Sequence, residues 1–222
     1  MIPWVRLDTT DIPGGGSLRL MRRGGEFSIM LGDNELMNSR LSGSEETLAE
    51  LGCADLGARL APRVLIGGLG MGFTLRAALA SLPGDAQVTV AELVPAVERW
   101  ARQEMTEVFR GCLDDVRVRV VIADVLDAMR DANGFDAVLL DVDNGPDGLT
   151  MAANDGLYDY TGLAAAREAL KPGGVLAVWS SGPDAAFTSR LKRSAFAVEE
   201  VPTRAGRSRR GARHMIWLAT RP

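Results

Sequence analysis

The stretch from Arg63 to Ala80 constrains the fold of this 222-residue chain more than any other. An apolar run, Val64-Leu65-Ile66, ends in closely spaced glycines at 67, 68, 70 and 72. It then passes without a break into Leu75, Ala77, Ala78, Leu79 and Ala80, which reads as strand, tight turn and helix. Gly68, Gly70 and Gly72 let the backbone turn sharply and let a ligand come close, because no Cβ stands in the way. The helix that follows turns its free N–H groups and its positive end toward the same space. The Gly68-x-Gly70-x-Gly72 spacing differs from the G-x-G-x-x-G of the usual dinucleotide turn, and such turns also serve only to seat a helix on a sheet. A second signal adds weight. Gln87-Val88-Thr89-Val90-Ala91-Glu92 is a β-branched run that ends in an acid, twenty residues after Gly72. An acid there is placed to accept hydrogen bonds from ribose hydroxyls, so the two features together predict a bound nucleoside.

From Arg63 onward strand and helix alternate. Strands are predicted over 63–67, 87–92, 117–122, 136–141 and 174–180, and helices over 73–82, 94–108, 125–131 and 160–170. The unbroken apolar runs at Val118–Ile122 and Ala137–Leu140 suit strands covered on both faces, as in a doubly wound α/β domain. Residues 1–50 have a different rhythm. Ser17–Arg23 and Glu26–Leu31 flank Gly24-Gly25 as a hairpin, Leu36–Ser39 continues as an extended piece, and Ser42 or Ser44 caps a helix that runs through Leu51. The chain is therefore expected to divide into a small N-terminal β-region with a lead-in helix (1–50) and a Rossmann-like nucleoside-binding domain (51–222). Past Ser181 the order is helix, strand, loop, strand, with the antiparallel pair Phe196–Val201 and His214–Ala219 closing the sheet.

Composition narrows the function classes. A net charge of −4 argues against whole-protein attraction to nucleic acid or an anionic membrane. No apolar run approaches the length of a membrane span, and Asp8 and Asp11 near the start speak against a secretory signal, so the chain reads as cytoplasmic. Cys53 and Cys112 are far apart and no histidine cluster accompanies them, which leaves no basis for a metal site. Five arginines between 204 and 213 read as a solvated hairpin tip or, more sharply, as a clamp for an anion. His214, the one histidine, reads as a half-buried structural residue.

Ligands of open α/β sheets bind outside the carboxyl ends of the strands, and three acids fall there. Glu92 follows the second strand of the alternating region, Asp124 the third and Asp141 the fourth. Asp124 is also a natural N-cap for the helix beginning at Val125. Asp141-Val142-Asp143-Asn144-Gly145-Pro146-Asp147-Gly148 stacks turn chemistry, which accounts for Asp143 and Asp147. It does not account for Asp141. A carboxylate at the end of a buried strand needs a cation or donors, and a sulfonium or an ammonium would serve.

These residues resemble the spermidine synthase-like proteins, a branch of the fold shared with class I S-adenosylmethionine-dependent methyltransferases. The resemblance runs from about Glu26 to the end. It rests on Gly68-x-Gly70-x-Gly72-x-Thr74-Leu75-Arg76, Val90-Ala91-Glu92, Asp124-Val125, Phe135-Asp136-Ala137-Val138-Leu139-Leu140-Asp141, Leu157-Tyr158 and Ala169-Leu170-Lys171-Pro172-Gly173-Gly174. It implies a Rossmann-like seven-stranded sheet with the last strand antiparallel. It also implies an S-adenosyl sulfonium donor, decarboxylated S-adenosylmethionine or S-adenosylmethionine, and an amine-like acceptor. Gly68, Gly70, Met71 and Gly72 would cradle the donor, Glu92 would bind ribose, Asp124 and Val125 would meet adenine, and Asp141 would assist deprotonation of the attacking amine. Asp143, Asn144 and Tyr158 would lie toward the acceptor. The family carries an acid where Met71 stands and a second Asp where Asn144 stands. It also has a Tyr-His-Glu trio in the region that here holds Met37 and Glu45-Glu46-Thr47. Methyl transfer to a small molecule, and a non-catalytic nucleoside-thioether binding module, remain as alternatives. The apolar residues Ile2, Trp4 and Val5, read as exposed, leave room for a homodimer, toward which the resemblance also points.

Overall fold

A computed structural model of the chain describes residues 2–13, 15–131, 134–142, 145–146, 156–206 and 211–222. Two sheets organise it. The N-terminal one has four antiparallel strands in sequential order, β1 (Val5–Asp11), β2 (Ser17–Arg23), β3 (Glu26–Leu31) and β4 (Asn34–Asn38). The hairpin and the extended piece after it are as the sequence predicts; β1 is not. Its side chains are mostly exposed, Val5 and Leu7 included, so no burial pattern marks it as a strand. It forms by pairing its backbone with β2, Thr10 opposite Leu18. Its Asp8 carboxylate accepts hydrogen bonds from Trp100 Nε1 at 2.7 Å and from Arg99, which ties the small sheet to the helix over Pro95–Gln103. Trp4, read as exposed, is half-buried beneath the Arg23 guanidinium, 4.6 Å from its ring centre.

The second sheet has seven strands: β5 (Arg63–Gly67), β6 (Gln87–Glu92), β7 (Val118–Ile122), β8 (Phe135–Leu140), β9 (Leu170–Ser180), β10 (Ala197–Arg204) and β11 (Arg213–Thr220). Their spatial order is β10-β11-β9-β8-β5-β6-β7, with β11 antiparallel to both its neighbours. This is the doubly wound sheet with an antiparallel last strand that the resemblance implies. The helices are α1 (Gly43–Gly52), α2 (Phe73–Ser81), α3 (Pro95–Gln103), α4 (Thr106–Phe109), α5 (Val125–Arg130), α6 (Tyr160–Ala169) and α7 (Ala185–Arg193). Asp124, Asp159 and Asp184 cap α5, α6 and α7 through their side chains, each supplying an acceptor for first-turn amides that have none inside the helix.

Three local expectations change. The single helix foreseen over 94–108 is two, because Met105 is fully buried and leaves the helical conformation to reach the core. Lys171-Pro172-Gly173-Gly174, expected as a turn before the strand, lies within β9: pairing with β8 begins at Phe135 opposite Leu170 and resumes at Ala137 opposite Val175. Ser42 stands at the N-cap of α1 but makes no side-chain cap, and the Ser44 hydroxyl is engaged elsewhere.

Apolar clusters cover both faces of the large sheet. One runs without interruption from Leu20, Phe27 and Ile29 of the small sheet through Val64, Ile66 and Trp100. The other gathers Leu163, Phe187 and Trp217. Each such side chain, fully buried, contributes roughly 1.5–3 kcal/mol. Trp217 can be fully buried because its Nε1 donates to Thr188 Oγ1 at 2.8 Å. Among the described residues no helix is long and apolar enough to cross a membrane.

Candidate functional site

The chain leaves β5 for β6 on one side and returns to β8 on the other, so the crevice at the carboxyl end of β5 is the switch point of the sheet. The glycine turn fills that position. Gly68 donates to the Ala91 carbonyl at 2.9 Å, and the amide of Asp141 donates to the Gly67 carbonyl at 3.1 Å, so the turn is laced to both neighbouring strand ends. Gly68, Gly70 and Gly72 have φ of +85°, +50° and +73°, a region that L side chains rarely adopt. A Cβ on Gly68 would lie 2.9 Å from the Asp141 carbonyl, and one on Gly72 would lie 2.5 Å from the Phe109 ring. At Gly70 the space is open except for Met37 Sδ at 3.4 Å. Gly68 and Gly72 are thus required by packing, whereas Gly70 leaves room for a ligand.

A cavity of about 330 Å³ opens there, within the size range of small-molecule sites. Its floor is Gly68, Gly70, Met71, Gly72, Glu92, Asp124, Val125 and Asp141, so the structure brings together every residue assigned to the donor from sequence. The small sheet and α1 form its roof, with Met37, Leu41 and Glu45, and Trp179 and His214 close one side. Of the residues assigned to the acceptor, Asp143 and Asn144 lie outside the described residues. Tyr158 does not line the cavity: its ring is buried edge-on to Phe187, and its hydroxyl donates to the Val142 carbonyl at 3.3 Å, beneath the segment that follows Asp141.

The three acids occupy different environments. Both oxygens of Glu92 accept backbone N–H groups, from Leu69 at 3.0 Å and from Val94 at 2.8 Å, so this carboxylate shapes the glycine turn as well as facing the cavity. Burial pushes its carboxyl up, and the amides of Val94, Leu69, Gly70 and Leu93 pull it back. Asp124 Oδ1 accepts from Leu126 at 2.7 Å, so the cap reading and the cavity position hold together. Asp141 Oδ2 accepts from Thr74 Oγ1 at 2.5 Å, and burial pushes its carboxyl up to about 6 against the lowering by that hydroxyl.

The sequence reading puts Glu45 in the region of the family's Tyr-His-Glu trio but gives it no role, and it does not place His214 at the site. Glu45 projects from the first turn of α1 and is pushed up to about 7, first by burial and second by the charge of Asp141. His214 is half-buried, as foreseen, but it also faces the cavity, and burial holds its imidazole below the usual range. Nothing in the local sequence signals either position, because α1 and β11 meet only in the folded chain. Among the described residues no group of three or more His, Cys, Asp or Glu side chains is placed to hold a metal ion, and both cysteines are buried and free. Of the arginine-rich loop, Arg207, Arg209 and Arg210 lie outside the described residues.

No family model matches the chain. Over 124 residues it is 39% identical to a polyamine aminopropyltransferase of Mycobacterium tuberculosis, a match that covers 54% of this chain and 23% of that protein. Over 135 residues it is 33% identical to polyamine aminopropyltransferase 1 of Hyperthermus butylicus, covering 59% of this chain and 44% of that one. The matched segments thus span less than half the length of either relative. In three dimensions the likeness extends over nearly the whole chain. A spermidine synthase solved in complex with the transition-state analogue AdoDATO superimposes with a TM-score of 0.78 at 20% identity, covering 98% of this chain and 74% of that one. Part of the chain is thus similar in sequence to polyamine aminopropyltransferases, and its fold is that of spermidine synthase.

Proposed function

We propose that this spermidine synthase-like chain transfers an aminopropyl group from decarboxylated S-adenosylmethionine to an amine acceptor. One observation carries the reading. Asp141, at the end of β8 beside the glycine turn, is a buried carboxyl held by Thr74 and pushed up to about 6. Such a group is ionised at neutral pH, yet it is a stronger base than an ordinary carboxylate. In the reaction the acceptor ammonium first gives a proton to carboxylate, and the neutral nitrogen so formed attacks the carbon next to the sulfonium. The carbon–sulfur bond breaks in line, its electron pair stays on sulfur as a neutral thioether, and the alkylated nitrogen is left as the product ammonium. Alignment and a tuned base are what such a displacement needs. Glu92 and Asp124 would hold ribose and adenine, and Gly70 would admit the donor. The similarity to named polyamine aminopropyltransferases, and the AdoDATO bound by a protein of the same fold, support this donor class.

Calorimetry with decarboxylated S-adenosylmethionine, S-adenosylmethionine, methylthioadenosine and NAD tests the donor. The decarboxylated form is expected to bind tightest, and tighter binding of intact S-adenosylmethionine would turn the reading to methyl transfer. Asp141→Asn is expected to lower turnover by about 10²–10⁴-fold, the range of a lost acid–base group, while donor binding persists. Retained turnover would remove the role given to Asp141.

A further inference from the structure

Across the cavity from the glycine turn lies a run of polar groups that the donor site does not use. The Ser44 hydroxyl donates to Glu45 Oε2 at 2.7 Å and lies 2.9 Å from His214 Nδ1, joining residues 170 apart in sequence. Ser44 is fully buried, while Glu45 and His214 both line the cavity. A serine hydroxyl carries one proton, so the three groups have two complementary arrangements. In the first, Ser44 donates to the Glu45 carboxylate and Nδ1–H of His214 donates to Ser44. In the second, protonated Glu45 donates to Ser44, and Ser44 donates to a bare Nδ1. Passing from the second to the first moves one proton from Glu45 to His214. Trp179 stands edge-on to His214, ring centres 4.8 Å apart, and its buried indole N–H has no hydrogen-bond partner among the described residues, which leaves that donor for a molecule entering this end of the cavity.

We propose that Glu45 is a second acid–base group of the acceptor site, and that Glu45, Ser44 and His214 form a chain that carries the proton away from the acceptor amine. This rests on the transfer reading above. The acceptor ammonium releases a proton to the carboxyl pair Asp141 and Glu45, and the neutral nitrogen then forms its bond to carbon as the carbon–sulfur bond breaks. Glu45 passes a proton to Ser44 Oγ while the proton of Ser44 moves to His214 Nδ1. The half-buried imidazolium then returns it to solvent. Glu45 feels the charges of Asp141 and of Glu46, both of which raise it, and His214 is lowered by burial. Glu45 is thereby taken out of the ordinary carboxylate range toward that in which an imidazole exchanges protons.

A merely structural role for Ser44, tying α1 to β11, predicts something different, and His214 being the only histidine makes the difference readable. In ¹⁵N-histidine-labelled protein the one imidazole is expected to change tautomer over the pH range in which Glu45 ionises. Ser44→Ala and Glu45→Gln are each expected to make that tautomer independent of pH while donor binding persists. With putrescine, cadaverine and propylamine as acceptors, Ser44→Ala is expected to lower kcat about ten-fold or more with donor KM unchanged. A His214 titration identical in all three proteins, or a kcat untouched by Ser44→Ala, would overturn the chain. A coupled titration without turnover of any amine would instead sink the transfer reading and leave the proton chain standing.

Discussion

Strand β8 carries an aspartate near each end, and the two are opposites. Asp136, at the amino end, is buried and saturated: Arg59 Nη1 approaches Oδ1 at 2.9 Å, while Lys171 Nζ and the amide of Arg63 reach Oδ2 at 2.7 and 2.8 Å. Burial alone would raise its carboxyl, but these partners together hold it below its ordinary value. Asp141, just past the carboxyl end, has one side-chain hydrogen-bond donor among the described residues, the Thr74 hydroxyl, and burial wins. The same residue type on the same strand is thus a fastener at one end and a poised base at the other. What differs is how many positive or donating groups the fold brings to it.

Asparagine substitutions break this comparison most directly. Asp136→Asn leaves Arg59 and Lys171 without their carboxylate and is expected to cost about 2 kcal/mol, discounted because both cations are partly exposed. Asp141→Asn is expected to raise stability at pH 8 by about 1 kcal/mol, since it removes a charge the fold disfavours. Urea denaturation of the two variants checks the opposite signs, and a shared sign would dissolve the contrast.

The pH dependence of stability sharpens the contrast further. The contribution of Asp136 is complete above its unfolded value of 3.8 and is lost as pH falls through its lower folded value. Asp141 and Glu45, raised from 3.8 and 4.5 to about 6 and about 7, act the other way: their cost is absent below the unfolded values and grows as pH rises toward neutrality. Thermal melting midpoints are expected to fall on both sides of a maximum near pH 4–5. Asp141→Asn flattens the limb above that maximum and leaves the acidic limb alone.

The smallest effect concerns Thr74. Thr74→Val removes the hydroxyl that lowers Asp141 and is expected to shift the acidic limb of the kcat/KM profile up by about one pH unit, with little change at pH 8. An unmoved limb would mean that the 2.5 Å contact does not tune the base.

Much of this arrangement is legible in the sequence because it is local. The glycine turn and the acids at 92, 124 and 141 sit at strand ends that hydrophobic runs mark out, and a doubly wound sheet gathers strand ends on one edge. The break at Met105, the strand Val5–Asp11 and the inward position of Tyr158 are not legible, because tertiary packing and backbone pairing decide them. Glu45 and His214 escape for a further reason. Each looks ordinary beside its neighbours, and only the closing of α1 against β11 brings them to the cavity that Asp141 lines.

Glu92 has a consequence for what the cavity discriminates. Its two oxygens already rest on amides of the turn, so the protein arrives with that corner pre-shaped, and an incoming sugar must share acceptors that are in use. On the proposed reading, recognition then leans toward the cationic sulfur facing Asp141. Once that sulfur becomes neutral the attraction lapses, and the spent thioether is released by the same charge change that completes the transfer.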